Sequence, residues 1–191
     1  EIDFQIKEKT KAGANYFHNL VINGTSAASG TGYVTGTFDG LKKILSGSDT
    51  EYTSAVDIST SALMDSNYNA YLDELDGFIS KLAEKPDILL MNNELLTKTR
   101  AAARRAGFYE RSVDGFGRTV EKYNGIPMMD VGQYYNGTKT VDVIETTTPS
   151  ATAYGETAIY AAKLGLNAFH GISVDGSKMV HTYLPDLNAP G

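Results

Sequence analysis

Three carboxylates crowd one short stretch of this chain, Asp73, Glu74 and Asp76, and four basic residues crowd another, Lys98, Arg100, Arg104 and Arg105. A carboxylate pair buried in a cleft can run acid and base chemistry. The same residues spread over a helix face are solvated, or meet the opposite charge of a partner. The basic set reads the same way, as a solvated face or as the complement of the acidic face on a neighbouring copy. Head-to-tail contacts of that kind close into rings when the rotation permits. Other reactive residues make weaker patterns. His18, His170 and His181 stand on different predicted elements with no ligand spacing, so no metal site is expected. Ser173, Asp175 and His181 supply the residue types of a hydrolase triad, yet no strained nucleophile elbow surrounds the serine. The run Gly30-Thr31-Gly32-Tyr33-Val34-Thr35-Gly36 misses the dinucleotide fingerprint by one residue and opens no amphipathic helix. No catalytic residue, cofactor or metal is assigned, and the seven charged residues stand as candidate contacts between subunits.

The elements that carry these residues follow from periodicity and punctuation. Residues from about Ile2 to Val21 place Ile2, Ile6, Lys9, Gly13, Phe17 and Leu20 at three- and four-residue steps, and Asn23-Gly24 stops the run, which predicts one long helix. A second helix is predicted over Asp65 to Glu84. There Tyr68, Tyr71, Leu72, Leu75, Phe78, Ile79 and Leu82 form an apolar stripe, the acidic residues lie opposite, and Pro86 ends the element. Asp87 to Met91 reads as a short buried strand. Asn92 or Asn93 then caps a third helix carrying Leu95, Leu96, Thr99, Ala102, Ala103 and Ala106 on one face, with Gly107 as its left-handed stop. Arg118 to Tyr123 and Ile126 to Met129 flank Asn124-Gly125, a dipeptide suited to a tight hairpin turn. Later strands are expected at Thr140 to Thr146, Thr157 to Leu164 and Ala168 to Val174, then after an Asp175-Gly176 turn at Lys178 to Leu184. The segments Gly24 to Thr37 and Ser46 to Ser61 read as exposed polar loops.

The block from Pro86 to Asp130 orders a strand, a basic helix, an Asp114-Gly115-Phe116-Gly117 turn, a strand, Tyr123-Asn124-Gly125-Ile126-Pro127 and a strand. That order resembles the core of tailed-phage major capsid proteins of the HK97-like fold. Asn23-Gly24-Thr25 and Phe38-Asp39-Gly40-Leu41 are similar to that family's spine-helix exit and following turn, and Thr157 to Ala161 and Phe169 to Ile172 to its later strands. The resemblance implies an α+β HK97-like capsid fold, with the long spine helix in a peripheral lobe and an axial lobe of helices around a small sheet. Residues 1–59 and 150–191 would form the peripheral lobe and 60–149 the axial lobe. The family's N-terminal arm, extended loop and closing strand have no counterpart here, so a fragment is expected. The implied function is that of a structural subunit of a phage or prophage head in the virion, assembled in the bacterial cytoplasm. Its partners would be copies of itself in hexamers and pentamers, and packaged double-stranded DNA bound weakly and without sequence preference. An encapsulin-like compartment shell is the alternative with the same fold, and a small soluble enzyme or ligand-binding domain the alternative from another class.

Composition sets outer bounds. A net charge of −6 argues against a surface built to grip nucleic acid, since phosphate binding rests on clustered Lys and Arg. The absence of cysteine excludes disulfides, thiolate catalysis and Cys-based zinc sites. No apolar run approaches the roughly 20 residues of a membrane span, and no signal peptide opens the chain. Asn23-Gly24-Thr25 and Asn136-Gly137-Thr138 match the glycosylation sequon and are read as turns.

Overall fold

Helix α1 (Ile2–Asn23) opens the chain and ends where two glycines let the backbone fold tightly on itself. The computed structural model describes residues 2–26, 38–107, 110–113, 119–148 and 155–171. At the end of α1 the Gly24 amide bonds Leu20 O at 2.9 Å, and the Gly40 amide bonds Gly24 O at 2.8 Å. A Cβ on Gly24 would stand 2.4 Å from the carbonyl oxygens of Leu20 and Phe38, so only glycine fits this approach. Gly40 leads into the short helix α2 (Leu41–Leu45). Asp39 ties the corner together, with Oδ1 accepting from Lys43 Nζ and Ser26 N at 2.7 Å and from Ser26 Oγ at 2.8 Å.

Helix α3 (Ser61–Ser80) begins four residues before the expected Asp65, because Thr60 caps it by accepting from the Leu63 amide at 3.2 Å. It also stops before the expected Glu84. Lys81 closes its last turn with its amide on Phe78 O at 3.2 Å, and residues 81–85 are non-helical ahead of buried Pro86, which resists helical dihedrals at Lys85. Strand β1 (Ile88–Met91) and helix α4 (Asn93–Ala106) follow, the helix capped by Asn92 and closed by Gly107 at φ 83, as the sequence predicts. The remaining strands are β2 (Glu110–Val113), β3 (Thr119–Tyr123), β4 (Ile126–Asp130), β5 (Gln133–Tyr135), β6 (Thr140–Asp142) and β7 (Tyr160–Ala162). The predicted hairpin is β3–β4, with Tyr123 paired to Ile126 around Asn124 at φ 50 and Gly125 at φ 73.

Five strands form one mixed sheet in the order β2-β3-β4-β1-β7, in which β1 and β4 run parallel and every other neighbour antiparallel. Strands β5 and β6 form a separate hairpin. The larger core places Met64, Tyr71, Leu72 and Leu75 of α3, with Leu95 and Ala102 of α4, against Leu89, Met91, Tyr123, Ile126 and Met128 of the sheet. A smaller cluster of Ile22, Val143 and Ile144, with Leu41, Val131 and Tyr134 beside it, fastens the end of α1. The chain is thus a mixed α+β protein.

Several expectations change on contact with the structure. Among the described side chains of α1, Ile22, off the predicted stripe, is the one that enters a core, while Phe17 stays 36% exposed and packs at a 56° tilt against Phe38, ring centroids 6.0 Å apart. The segment Ser46 to Ser61 is no purely exposed loop: Val56 and Ile58 pack on the main core, Lys81 lies 4.9 Å over the Tyr52 ring, and Ser61 begins α3. The strands expected at Thr140 to Thr146 and Thr157 to Leu164 shrink to three residues each, because Val143 and Ile144 leave β6 to fill the smaller core and β7 meets β1 over three residues only. Strand β7 joins the main sheet beside β1, and β5 packs against α1. The glycine run 30–36, the Asp114-Gly115-Phe116-Gly117 turn, and the Ser173, Asp175 and His181 region with its predicted strand lie outside the described residues.

Candidate functional site

The structure divides the seven charged candidates into those that hold their own chain together and those that remain outward. Among the basic residues of α4, Lys98 Nζ donates to the Ser59 carbonyl. Arg100 Nε pairs with the Glu121 carboxylate of β3 at 2.9 Å, with both side chains half-buried or better. Arg105 Nε reaches Asp65 of α3 at 2.6 Å in a solvent-facing pair. Arg104 is exposed and makes no ion pair or side-chain hydrogen bond among the described residues.

On α3 the acidic set divides similarly. Asp76 Oδ1 accepts from the Tyr123 hydroxyl at 2.9 Å and so anchors the end of β3 to the helix. Burial first, then the hydrogen bond and negative charge of Asp76, push the Tyr123 phenol well above its usual range. Glu74 is half-buried, with Oε2 shielded from solvent and lacking a hydrogen bond among the described residues. Asp73 is exposed. The outward candidates are therefore Asp73 and Arg104.

Buried between α3 and α4, the Tyr71 hydroxyl and Thr99 Oγ1 lie 2.7 Å apart, and burial lifts the Tyr71 phenol to about 12. This contact and the Arg105–Asp65 pair lock the two helices in register, which fixes where Arg104 emerges. Sequence periodicity shows Thr99 on the apolar face; its polar partner is legible only once the fold brings Tyr71 to it.

Asn92 is the polar residue that periodicity identified only as a cap. Its Oδ1 accepts from the Leu95 amide at 2.8 Å, and its Nδ2 faces Ile144 O, Thr146 Oγ1 and Thr157 Oγ1 at 3.0, 3.0 and 3.1 Å. It thereby stitches the β1–α4 corner to two later segments.

Polar hollows open on the surface of the described residues. One, of about 600 Å³, lies where α1, the start of α4 and the β5–β6 hairpin meet, and His18, Asn93, Asp130 and Asp142 line it. Another, of about 610 Å³, is bordered by Asn23, Lys42 and Lys43. Among the described residues no group of three His, Cys, Asp or Glu side chains could hold a metal, and His170 only contacts its own Ala168 carbonyl at 2.9 Å. Nor is any described helix long and apolar enough to cross a membrane.

Fold and surface together define an α+β protein whose charged helix pair is mostly committed to its own packing. No family model, curated protein or solved structure matches the chain.

Proposed function

We propose that the chain is a structural subunit of an icosahedral shell of the HK97-like kind, the head of a tailed phage or prophage, which associates with copies of itself into hexamers and pentamers around DNA. The observation that carries this reading is the order β1, basic α4, β2, β3, Asn124-Gly125 and β4 within one mixed sheet, alongside a long helix that contributes little to either core. Residues 3 to 13 of α1 are exposed apart from half-buried Ile6, and Phe4 is 68% exposed. Most helical stability in proteins comes from packing an apolar face. A helix of this length, roughly 33 Å at 1.5 Å per residue, gains that packing in an assembly. Shell function is geometric and asks only for contacts between copies.

Light scattering and negative-stain electron microscopy of the expressed chain, across protein and salt concentration, test the reading. Rings, capsomers or closed shells are expected. A monomer under every condition, also with the N-terminal arm, extended loop and closing strand supplied, overturns it. Nucleic acid inside recovered shells marks a phage head, whereas enzyme cargo marks an encapsulin-like compartment of the same fold.

A further inference from the structure

Two Asn-Gly pairs sit at the tips of two hairpins, and their asparagine amides are held differently. Asn124 stands at φ 50 between the paired residues Tyr123 and Ile126, and its backbone carbonyl accepts from Lys85 Nζ at 2.9 Å. Asn136 stands in the wider loop between the paired residues Tyr135 and Thr140, with its own amide bonded to Lys139 O at 3.1 Å. Its side-chain Oδ1 accepts from two backbone amides, Thr138 N and Lys139 N, each at 3.0 Å. Gly137 follows at φ 97, and residues 136 to 139 are all exposed.

An asparagine followed by glycine carries its own nucleophile. With no Cβ in the way, the glycine backbone nitrogen can attack Cγ of the preceding side chain. The new C–N bond closes a five-membered ring as the amide proton passes to solvent, and negative charge develops on Oδ1. Collapse breaks the Cγ–Nδ2 bond and releases ammonia, the nitrogen taking its proton from water. One water molecule then opens the succinimide at either carbonyl, leaving aspartate or isoaspartate. The net change is one water consumed and one ammonia released.

At Asn136 the two amides already surround the oxygen on which that charge develops, the arrangement that stabilises oxyanions in acyl-transfer sites. At Asn124 ring closure would require the residue to leave the left-handed turn that strand pairing fixes. We propose that Asn136 is a site of spontaneous self-modification through a succinimide, and that Asn124, with the same dipeptide sequence, is protected. The product adds a carboxylate to the tip of the hairpin that packs on α1, taking the net charge from −6 to −7 (−6 − 1).

Peptide mapping by mass spectrometry, with enzymatic methylation to reveal isoaspartate, tests this on the folded chain and on the same chain in concentrated urea. In the folded chain Asn136 is expected to convert at least as fast as in urea, and roughly tenfold faster than Asn124, far below the hundredfold or more that one such donor supplies in a water-free site. In urea the two sites should converge. Asn136→Gln, which cannot close the same ring, should keep the fold and abolish the product at that position. Slower conversion of Asn136 in the folded chain than in urea, or a folded rate no greater than that of Asn124, overturns the proposal.

Discussion

One side chain, Asn92, caps α4 through its oxygen and supplies its nitrogen to three acceptors from segments more than fifty residues away. The two roles can be separated. Asn92→Asp keeps the capping acceptor and puts a negative charge at a helix start, which favours the helix. It also removes the donor from the buried Ile144 carbonyl and sets a carboxylate against it. If capping were the whole role, the variant would be neutral or stabilised at pH 7. The network argument predicts a loss of about 2–3 kcal/mol, the cost of a buried acceptor left unpaired, read as a lower urea midpoint at unchanged slope. Tyr71 gives a second prediction. Its phenol is raised from 10.0 to about 12 in the folded chain, so below pH 10 folded and unfolded forms both hold the proton and stability does not depend on it. Between pH 10 and 12 the unfolded form releases the proton first. Tyr71 should therefore add a fall of about 1.4 kcal/mol per pH unit to that from Tyr123, whose phenol is raised as well, and Tyr71→Phe, which has no proton to lose, should remove its share of the alkaline slope.

At the scale of elements, two glycines are needed for opposite reasons. Gly40 has ordinary extended dihedrals, φ −82 and ψ 170, but a Cβ there would stand 2.6 Å from Gly24 N and Ile22 O, backbone atoms that cannot rotate away. Gly107 has open space around it and φ 83, so alanine there is penalised by conformation alone. Gly40→Ala should cost about 3 kcal/mol, the upper end for overpacking, and Gly107→Ala about 1–2 kcal/mol. Thermal unfolding should rank them so, at roughly 2–4 °C per kcal/mol for a chain of this size. The sequence made one of these glycines readable and hid the other. Gly107 follows an amphipathic run and announces a helix stop, whereas the need for Gly40 comes from Gly24, sixteen positions away. The same division runs through the fold. Helices α3 and α4 and the β3–β4 hairpin were legible because periodicity, caps and Asn124-Gly125 are local signals. Strand β2 was not, because Glu110-Arg111-Ser112-Val113 has no apolar alternation and is held by pairing with β3. The intramolecular partners of Arg100 and Arg105 were hidden for the same reason: Glu121 and Asp65 reach them only through tertiary packing.

For the whole molecule, that pairing decides which charge would report on the assembly proposed above. Reversing Arg100 would set a carboxylate against Glu121 inside the packed α4–β3 contact, and reversing Arg105 would repel Asp65 across α3 and α4, so either variant confounds folding with association. Arg104 is exposed and outside these pairs, and Asp73 is exposed on α3. In a head-to-tail ring, a surface on one copy meets a different surface on the next, so opposite charges on separate faces can meet although they never do within one chain. Arg104→Glu should leave the unfolding free energy from urea titration within about 0.5 kcal/mol of the parent, as expected of an exposed site. It should lower the yield of rings or shells, most strongly at low salt, where screening is weakest. Combining it with Asp73→Arg restores opposite charges across the contact and should recover assembly; the single Asp73→Arg should be as defective as Arg104→Glu. If both single variants assemble like the parent, the contact between copies lies elsewhere on the molecule, and the exposed length of α1 becomes the surface to dissect.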